Sequence, residues 1–104
     1  MSLTALLCAV FLTPSLAQNT DMLTSGKTIL SDNCSACHAV SVNDESMHLD
    51  APPFRSLSAS YPVEQLAEAL VEGIMTGHAD MPEFAFSVEE VDAILAWLES
   101  IQEQ

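Results

Sequence analysis

The sequence predicts an all-α domain in which three main helices are joined by long loops. Two stretches, one after Pro62 and one after Ser87, place apolar residues three and four positions apart, as in a helix with one buried face. No stretch shows the strict alternation of apolar and polar residues that indicates a strand. The chain has 104 residues and neither an internal repeat nor a linker, so residues 18–104 are predicted to form a single domain.

The N-terminal residues are typical of an export signal. An uncharged apolar run over residues 3–12 is interrupted by Thr13 and Pro14, and residues 15–17 have the small-x-small pattern of a cleavage site. We therefore predict that residues 1–17 are a signal peptide, cleaved after Ala17, and that the mature protein is periplasmic. The run is too short for stable membrane insertion, although an uncleaved anchor is the alternative.

The first helix is predicted from about Asp21 to the cysteine at position 34. Its predicted buried face includes Gly26. Glycine inside a helix costs about 1 kcal/mol relative to alanine, so this position indicates either a close helix crossing or a merely tolerated glycine.

Residues 38–61 are predicted to be irregular, because polar turn-forming residues and Pro52-Pro53 oppose a helix. A loop of this length in a small domain is usually functional or wrapped around something. The second helix is predicted to begin at Pro62, a residue suited to the first helical position. Gly73 and Gly77 suit its termination. Its predicted apolar stripe comprises Val63, Leu66, Ala67, Leu70, Val71 and Ile74.

The third helix has the clearest start. Ser87 and Glu90 have the spacing of a capping box, in which each side chain satisfies a backbone amide of the other residue. Trp97 is expected to lie in the core or to pack against another helix. The predicted buried stripe comprises Val91, Ile94, Leu95, Leu98 and Ile101.

The motif Cys34-Ser35-Ala36-Cys37-His38 is the attachment signature of a covalent c-type haem. Two thiols three positions apart lie on one helical turn and reach both vinyl groups of one porphyrin, and the adjacent His38 can then ligate the iron. Three alternatives fit less well. A thioredoxin-type redox motif belongs beside a βαβ pattern, a zinc site needs a second pair of ligands, and a disulfide leaves His38 unused.

Met81 is the candidate for the second axial iron ligand. Pro82 favours extended backbone at Met81 and bars a helix there, so a stiff loop can hold the thioether towards a fixed point. His/Met ligation is common in cytochromes. His78 and His48 are the rival ligands.

The charge balance narrows the range of partners. The chain has fifteen acidic residues and only two basic ones, which gives a net charge of −13 at pH 7. Such a surface repels nucleic acid and anionic membranes. It favours redox partners that dock through a basic surface, unless the excess charge serves only solubility.

The chain resembles a class I c-type cytochrome over residues 20–102, on the haem motif, Met81-Pro82 and a last helix bearing Trp97. The resemblance implies helices wrapped around one covalent haem, with the first and last helices crossing at Gly26. Ala51-Pro52-Pro53-Phe54 resembles the family's Gly-Pro-x-Leu segment. That match implies that the Pro52 carbonyl accepts a hydrogen bond from His38.

These features predict a one-electron carrier with one haem c, ligated by His38 and Met81. We expect an electron-transfer protein and not an enzyme. Its donor would be a dehydrogenase, of which it is either a separate partner or the cytochrome subunit, and its acceptor an oxidase or another cytochrome. The alternative is a haem protein that senses a small ligand through a labile Met81. A third hypothesis is a small haem peroxidase, an enzyme that requires an open coordination position on the iron.

Overall fold

The structure, a computed structural model, describes residues 2–10, 15–74 and 78–103. It confirms the all-α class, since no strand occurs in these ranges. Residues 1 and 11–14 of the predicted signal peptide, and Gly77 at the predicted end of the second helix, lie outside the described residues. The described elements are α1 (Ser15–Cys34), a 3-10 helix (Phe54–Ala59), a second 3-10 helix (Val63–Gln65), α2 (Leu66–Glu72) and α3 (Val88–Ile101).

Helix α1 begins earlier than predicted, at Ser15 instead of about Asp21. No proline or glycine interrupts the chain between Pro14 and Gly26, so nothing opposes helix formation there. The helix includes both sides of the bond at which cleavage is predicted, and cleavage there would remove its first three residues. Residues 2–10 are exposed and form no regular secondary structure. Within the described ranges, no helix has the length and apolar character needed to cross a membrane.

The central feature of the fold is the crossing of α1 and α3. Gly26 is buried at this crossing, where an added Cβ would lie 2.6 Å from the carbonyl carbon of Ala93 and 3.0 Å from Trp97 Cβ. The predicted close crossing is thus confirmed. The Trp97 indole N–H donates to the Val40 carbonyl at 2.9 Å, so the loop after the haem motif is tied to α3.

The core lies between these two helices and the elements that connect them. Val71 was predicted to be buried but is exposed, because α2 presents only part of its apolar stripe to α3. Ile94 is fully buried, and Leu95 is only partly so. The buried cluster comprises Leu30, Val40, Phe54, Leu57, Val63, Leu70, Val91, Ile94, Leu98 and Ile101.

The predicted second helix is two elements and not one. A single 3-10 turn follows Pro62, and α2 then ends at Glu72, where the prediction had placed one continuous helix. Gly73 caps α2 with φ 116, a left-handed conformation that glycine adopts without strain. The role predicted for Gly73 is confirmed, and the chain turns back sharply at this residue.

The region predicted to be irregular contains the 3-10 helix Phe54–Ala59. Its two buried residues, Phe54 and Leu57, are three positions apart and share one face of that helix. The side chain of Gln102, just beyond α3, donates to the Phe54 carbonyl at 2.7 Å and accepts from the Ser58 amide at 2.8 Å. The C-terminal end of the fold therefore holds this short helix in place.

Candidate haem-binding site

A cavity of about 350 Å³ opens between the helices, within the size range of sites for small molecules and cofactors. Its wall brings together all the residues predicted to hold a haem: Cys34, Cys37, His38, Pro52 and Met81. The remaining wall is mainly apolar. Its aliphatic and aromatic side chains include Leu30, Phe54, Leu57, Leu66, Leu70, Ile94 and Leu98.

The two cysteines lie where α1 ends. Cys34 is the last helical residue, and its carbonyl accepts hydrogen bonds from the amides of Cys37 (3.2 Å) and His38 (2.9 Å). These bonds continue the helical turn, so the two thiols and the imidazole stay close together. Burial raises the pKa of the Cys34 thiol to about 11, and the group is therefore neutral at pH 7. The Cys34 thiol is shielded from water because it lies in the mainly apolar wall of the cavity, and a porphyrin ring needs such an apolar wall around it.

The imidazole of His38 is fixed on two sides. Its Nδ1–H donates to the Pro52 carbonyl at 2.9 Å, the contact that the family resemblance implied. Because the ring hydrogen is on Nδ1, the lone pair of Nε2 is available to a metal. The Phe54 ring stacks on the imidazole with centroids 4.6 Å apart. The Phe54 amide in turn donates to the Ala39 carbonyl at 2.9 Å, which anchors the stacking residue to the chain beside His38.

Met81 reaches the same cavity from the chain that follows α2. The Phe86 amide donates to the Leu70 carbonyl at 2.8 Å, and the Ile74 amide donates to the Phe84 carbonyl at 3.0 Å. These bonds lay the segment after Met81 back along α2. The Met81 amide itself donates to the His78 carbonyl at 3.2 Å. The partly buried Met81 side chain therefore lines the cavity that His38 also lines.

The loop between the haem motif and Phe54 is organised by Asp44, a residue that the sequence analysis did not single out. Its carboxylate accepts from the amides of Val40 (3.0 Å) and Ser41 (2.9 Å), and Arg55 donates to its backbone carbonyl at 2.6 Å. Desolvation pushes the pKa of the Asp44 carboxyl up, but the amide hydrogen bonds and the Arg55 charge outweigh it and hold the pKa below its usual value. In the sequence, Asp44 follows Ser41 by three residues and Val40 by four. Aspartate side chains often accept from backbone amides at this spacing, and this is the signal that could have indicated the role of Asp44.

The rival ligands His48 and His78 also line the cavity, at its partly exposed mouth. Each pairs with an aspartate from the other's segment: His48 with Asp80, and His78 with Asp50. No local pattern in the sequence indicates these cross-pairs, because only the folded chain brings the two segments together.

The described residues fit a covalently bound haem. Two thiols, an imidazole with Nε2 available and a thioether share one apolar cavity of suitable size. Fold and site together define a c-type cytochrome domain.

Comparison with known protein families agrees with this assignment to the c-type cytochromes. The model for cytochrome c oxidase, cbb3-type, subunit III matches residues 21–98, and the chain belongs to this family of c-type cytochrome domains. It carries a covalent haem c with iron, and its function is haem-based electron transfer. No curated protein and no solved structure matches the chain.

Proposed function

We propose that this protein is a periplasmic one-electron carrier, with thioether bonds at Cys34 and Cys37 and with His38 and Met81 as the axial ligands. The observation that carries the proposal is that all four side chains line one apolar cavity, in which Pro52 orients His38. The bound haem supplies an iron that alternates between the ferric and ferrous states. The chain supplies the fixed imidazole, the thioether and the walls that exclude water.

The choice of ligands favours particular partners. A thioether ligand stabilises ferrous iron and raises the reduction potential. A dehydrogenase is accordingly the proposed donor, with this chain as a free carrier or as its cytochrome subunit. An oxidase or another cytochrome is the proposed acceptor, and the family's description as an oxidase subunit supports an oxidase.

The docking surface is proposed to be acidic. The chain carries a net charge of −13, and Asp50 and Asp80 lie at the cavity mouth. A partner with a basic patch would be attracted to this mouth and would meet the haem edge there. Periplasmic location is supported by the signal-like residues 1–17.

Substitution of Met81 tests the ligand assignment. We expect ferric wild-type protein to show the weak sulfur-to-iron charge-transfer band at the red edge of the visible spectrum. The Met81→Ala variant should lose this band and bind carbon monoxide readily in the ferrous state, because the iron position is then open.

Met47→Ala is the matched control. Met47 is 80% exposed and does not line the cavity, so this variant should keep the band. Survival of the band in Met81→Ala would contradict the assignment. Rapid binding of carbon monoxide by the wild-type protein would instead support the sensing alternative.

A further inference from the structure

Two short segments of the same pattern, His-x-Asp, meet at the mouth of the cavity. His48 Nε2 lies 3.1 Å from Asp80 Oδ2, and His78 Nε2 lies 3.4 Å from Asp50 Oδ2. The two imidazoles meet edge to face with their centroids 5.4 Å apart. Each histidine is thus paired with the aspartate of the other segment, and the ligand atoms of His48, His78 and Asp80 converge at one place, with Asp50 beside His78.

Both rings are oriented by backbone hydrogen bonds. The Asp50 amide donates to His48 Nδ1 at 3.1 Å, and the Asp80 amide donates to His78 Nδ1 at 3.3 Å. Because each Nδ1 accepts, the ring hydrogen is on Nε2 and is donated to the opposite carboxylate. Both Nε2 atoms therefore face the other segment, which is the orientation that a shared metal ion requires.

We propose that His48, His78 and Asp80, with Asp50 as the fourth ligand, bind a divalent transition-metal ion such as Zn²⁺. One ligand atom from each of the first three residues lies within 4.8 Å of the others. Tetrahedral zinc places its ligand atoms about 3.4 Å apart, so the most distant pair of ligand atoms has to close by at most roughly 1.4 Å, and His48 Nε2 and Asp80 Oδ2 are already 3.1 Å apart. The four side chains are partly or largely exposed and can make this movement.

The ligand types select the class of metal. Imidazole with carboxylate suits zinc and copper, whereas Ca²⁺ and Mg²⁺ prefer sets made entirely of oxygen ligands. The large negative net charge raises the local concentration of cations near the site.

Metal binding also has a defined cost. When the metal replaces the hydrogen on Nε2, that hydrogen moves to Nδ1, and the Asp50 and Asp80 amides lose their acceptors. An existing hydrogen-bond network is thus exchanged for metal ligation, so binding is weaker than at a site whose imidazoles already carry their hydrogen on Nδ1. The bound ion would fasten residues 48–50 to residues 78–80, directly before Met81.

Titration calorimetry of the ferric holoprotein with Zn²⁺ tests the proposal. We expect one saturable site that persists in millimolar Mg²⁺, with no change in the haem absorption spectrum, because the ion does not bind the iron. His48→Gln and His78→Gln should each weaken zinc binding at least about tenfold. At metal sites, removal of a residue that only hydrogen-bonds to a ligand already weakens binding by about this factor, and each of these substitutions removes a ligand itself. Asp80→Asn should weaken it as well.

Asp92→Asn is the matched control, since it removes one exposed acidic charge from α3 outside the cavity. It should leave zinc affinity unchanged. An unaltered haem spectrum in each variant verifies that it has folded. Zinc binding that survives both histidine substitutions, that never saturates, or that Mg²⁺ displaces would overturn the proposal. The outcome is separate from the Met81 assignment, because the sulfur-to-iron band is read independently of zinc affinity.

Discussion

At the scale of single residues, Gly26 shows how a missing side chain sets the position of a helix. The backbone of α3 at Ala93 occupies the place that a Cβ at residue 26 would need. The same crossing carries Trp97, which is bonded to Val40 beside the haem motif. The contact that brings α1 and α3 together thus also fixes the loop that follows His38.

We expect Gly26→Ala to destabilise the holoprotein by about 2 kcal/mol, since overpacking against the Ala93 backbone forces that backbone to shift and costs about 3 kcal/mol, the upper end of the usual range. The higher helix propensity of alanine offsets only about 1 kcal/mol of this. The free energy of unfolding, measured by urea titration, checks the expectation. Ser25→Ala, one exposed position away in the same helix, should change it by less than about 0.5 kcal/mol. Equal stability of the two variants would show that the crossing is not tight.

A contact between two residues could be predicted from the sequence only when the two residues are close together in the chain or belong to a known family motif. The haem motif is contiguous, so its spacing alone predicted the chemistry. The His38–Pro52 contact was foreseen only through the family resemblance. The stacking of Phe54 on His38 and the bond from His48 to Asp80, 32 residues apart, were not foreseen, because no local pattern encodes which distant loops meet.

At the scale of elements, local signals predicted helix ends well where a specific side chain makes them. The capping box of Ser87 and Glu90 is present at the start of α3, with both of its bonds at 3.1 Å. Periodicity was a weaker guide. It missed the 3-10 helix Phe54–Ala59 and joined a 3-10 turn to α2, since an apolar spacing of three fits either helix type.

Asp44 supports a further prediction, for the loop it organises. Replacement by alanine leaves the Val40 and Ser41 amides without their acceptor, and we expect a loss of about 1–2 kcal/mol in the free energy of unfolding at pH 7. The partial exposure of this side chain keeps the loss towards the lower value. Glu45→Ala, at the exposed neighbouring position, is the control and should have little effect.

The pH dependence of that loss has a definite sign. The pKa of Asp44 is lowered in the folded chain, so its stabilising contribution is complete above the unfolded pKa of about 4 and is lost as pH falls through the lower folded value. The difference between wild type and Asp44→Ala should therefore shrink below about pH 4, as followed by urea titration at several pH values. A difference that stays constant down to pH 2 would show that the hydrogen bonds do not depend on the carboxylate charge.

At the scale of the whole molecule, the surface charge and the cavity have to be considered together. All the acidic residues lie after residue 17, so the charge of −13 is the same with or without the predicted signal peptide. Charge of one sign steers an oppositely charged partner over distances comparable to the Debye length, which falls from about 30 Å at 0.01 M salt to about 8 Å at 0.15 M. Asp50 and Asp80 at the mouth place part of this charge where electrons would pass.

Electron exchange with small charged reagents tests this arrangement. We expect the second-order rate constant for reaction with hexaammineruthenium, a cation, to fall several-fold between about 0.01 and 0.2 M salt, because screening weakens the attraction. The rate constant with hexacyanoferrate, an anion, should rise over the same range. Stopped-flow absorbance of the haem measures both rate constants.

Asp50→Asn and Asp92→Asn remove the same charge, but of these two residues only Asp50 lines the cavity mouth. The Asp50 variant should therefore show the smaller salt dependence with the cation. Equal slopes for the two variants would mean that the net charge, and not its position at the mouth, governs the approach of the partner.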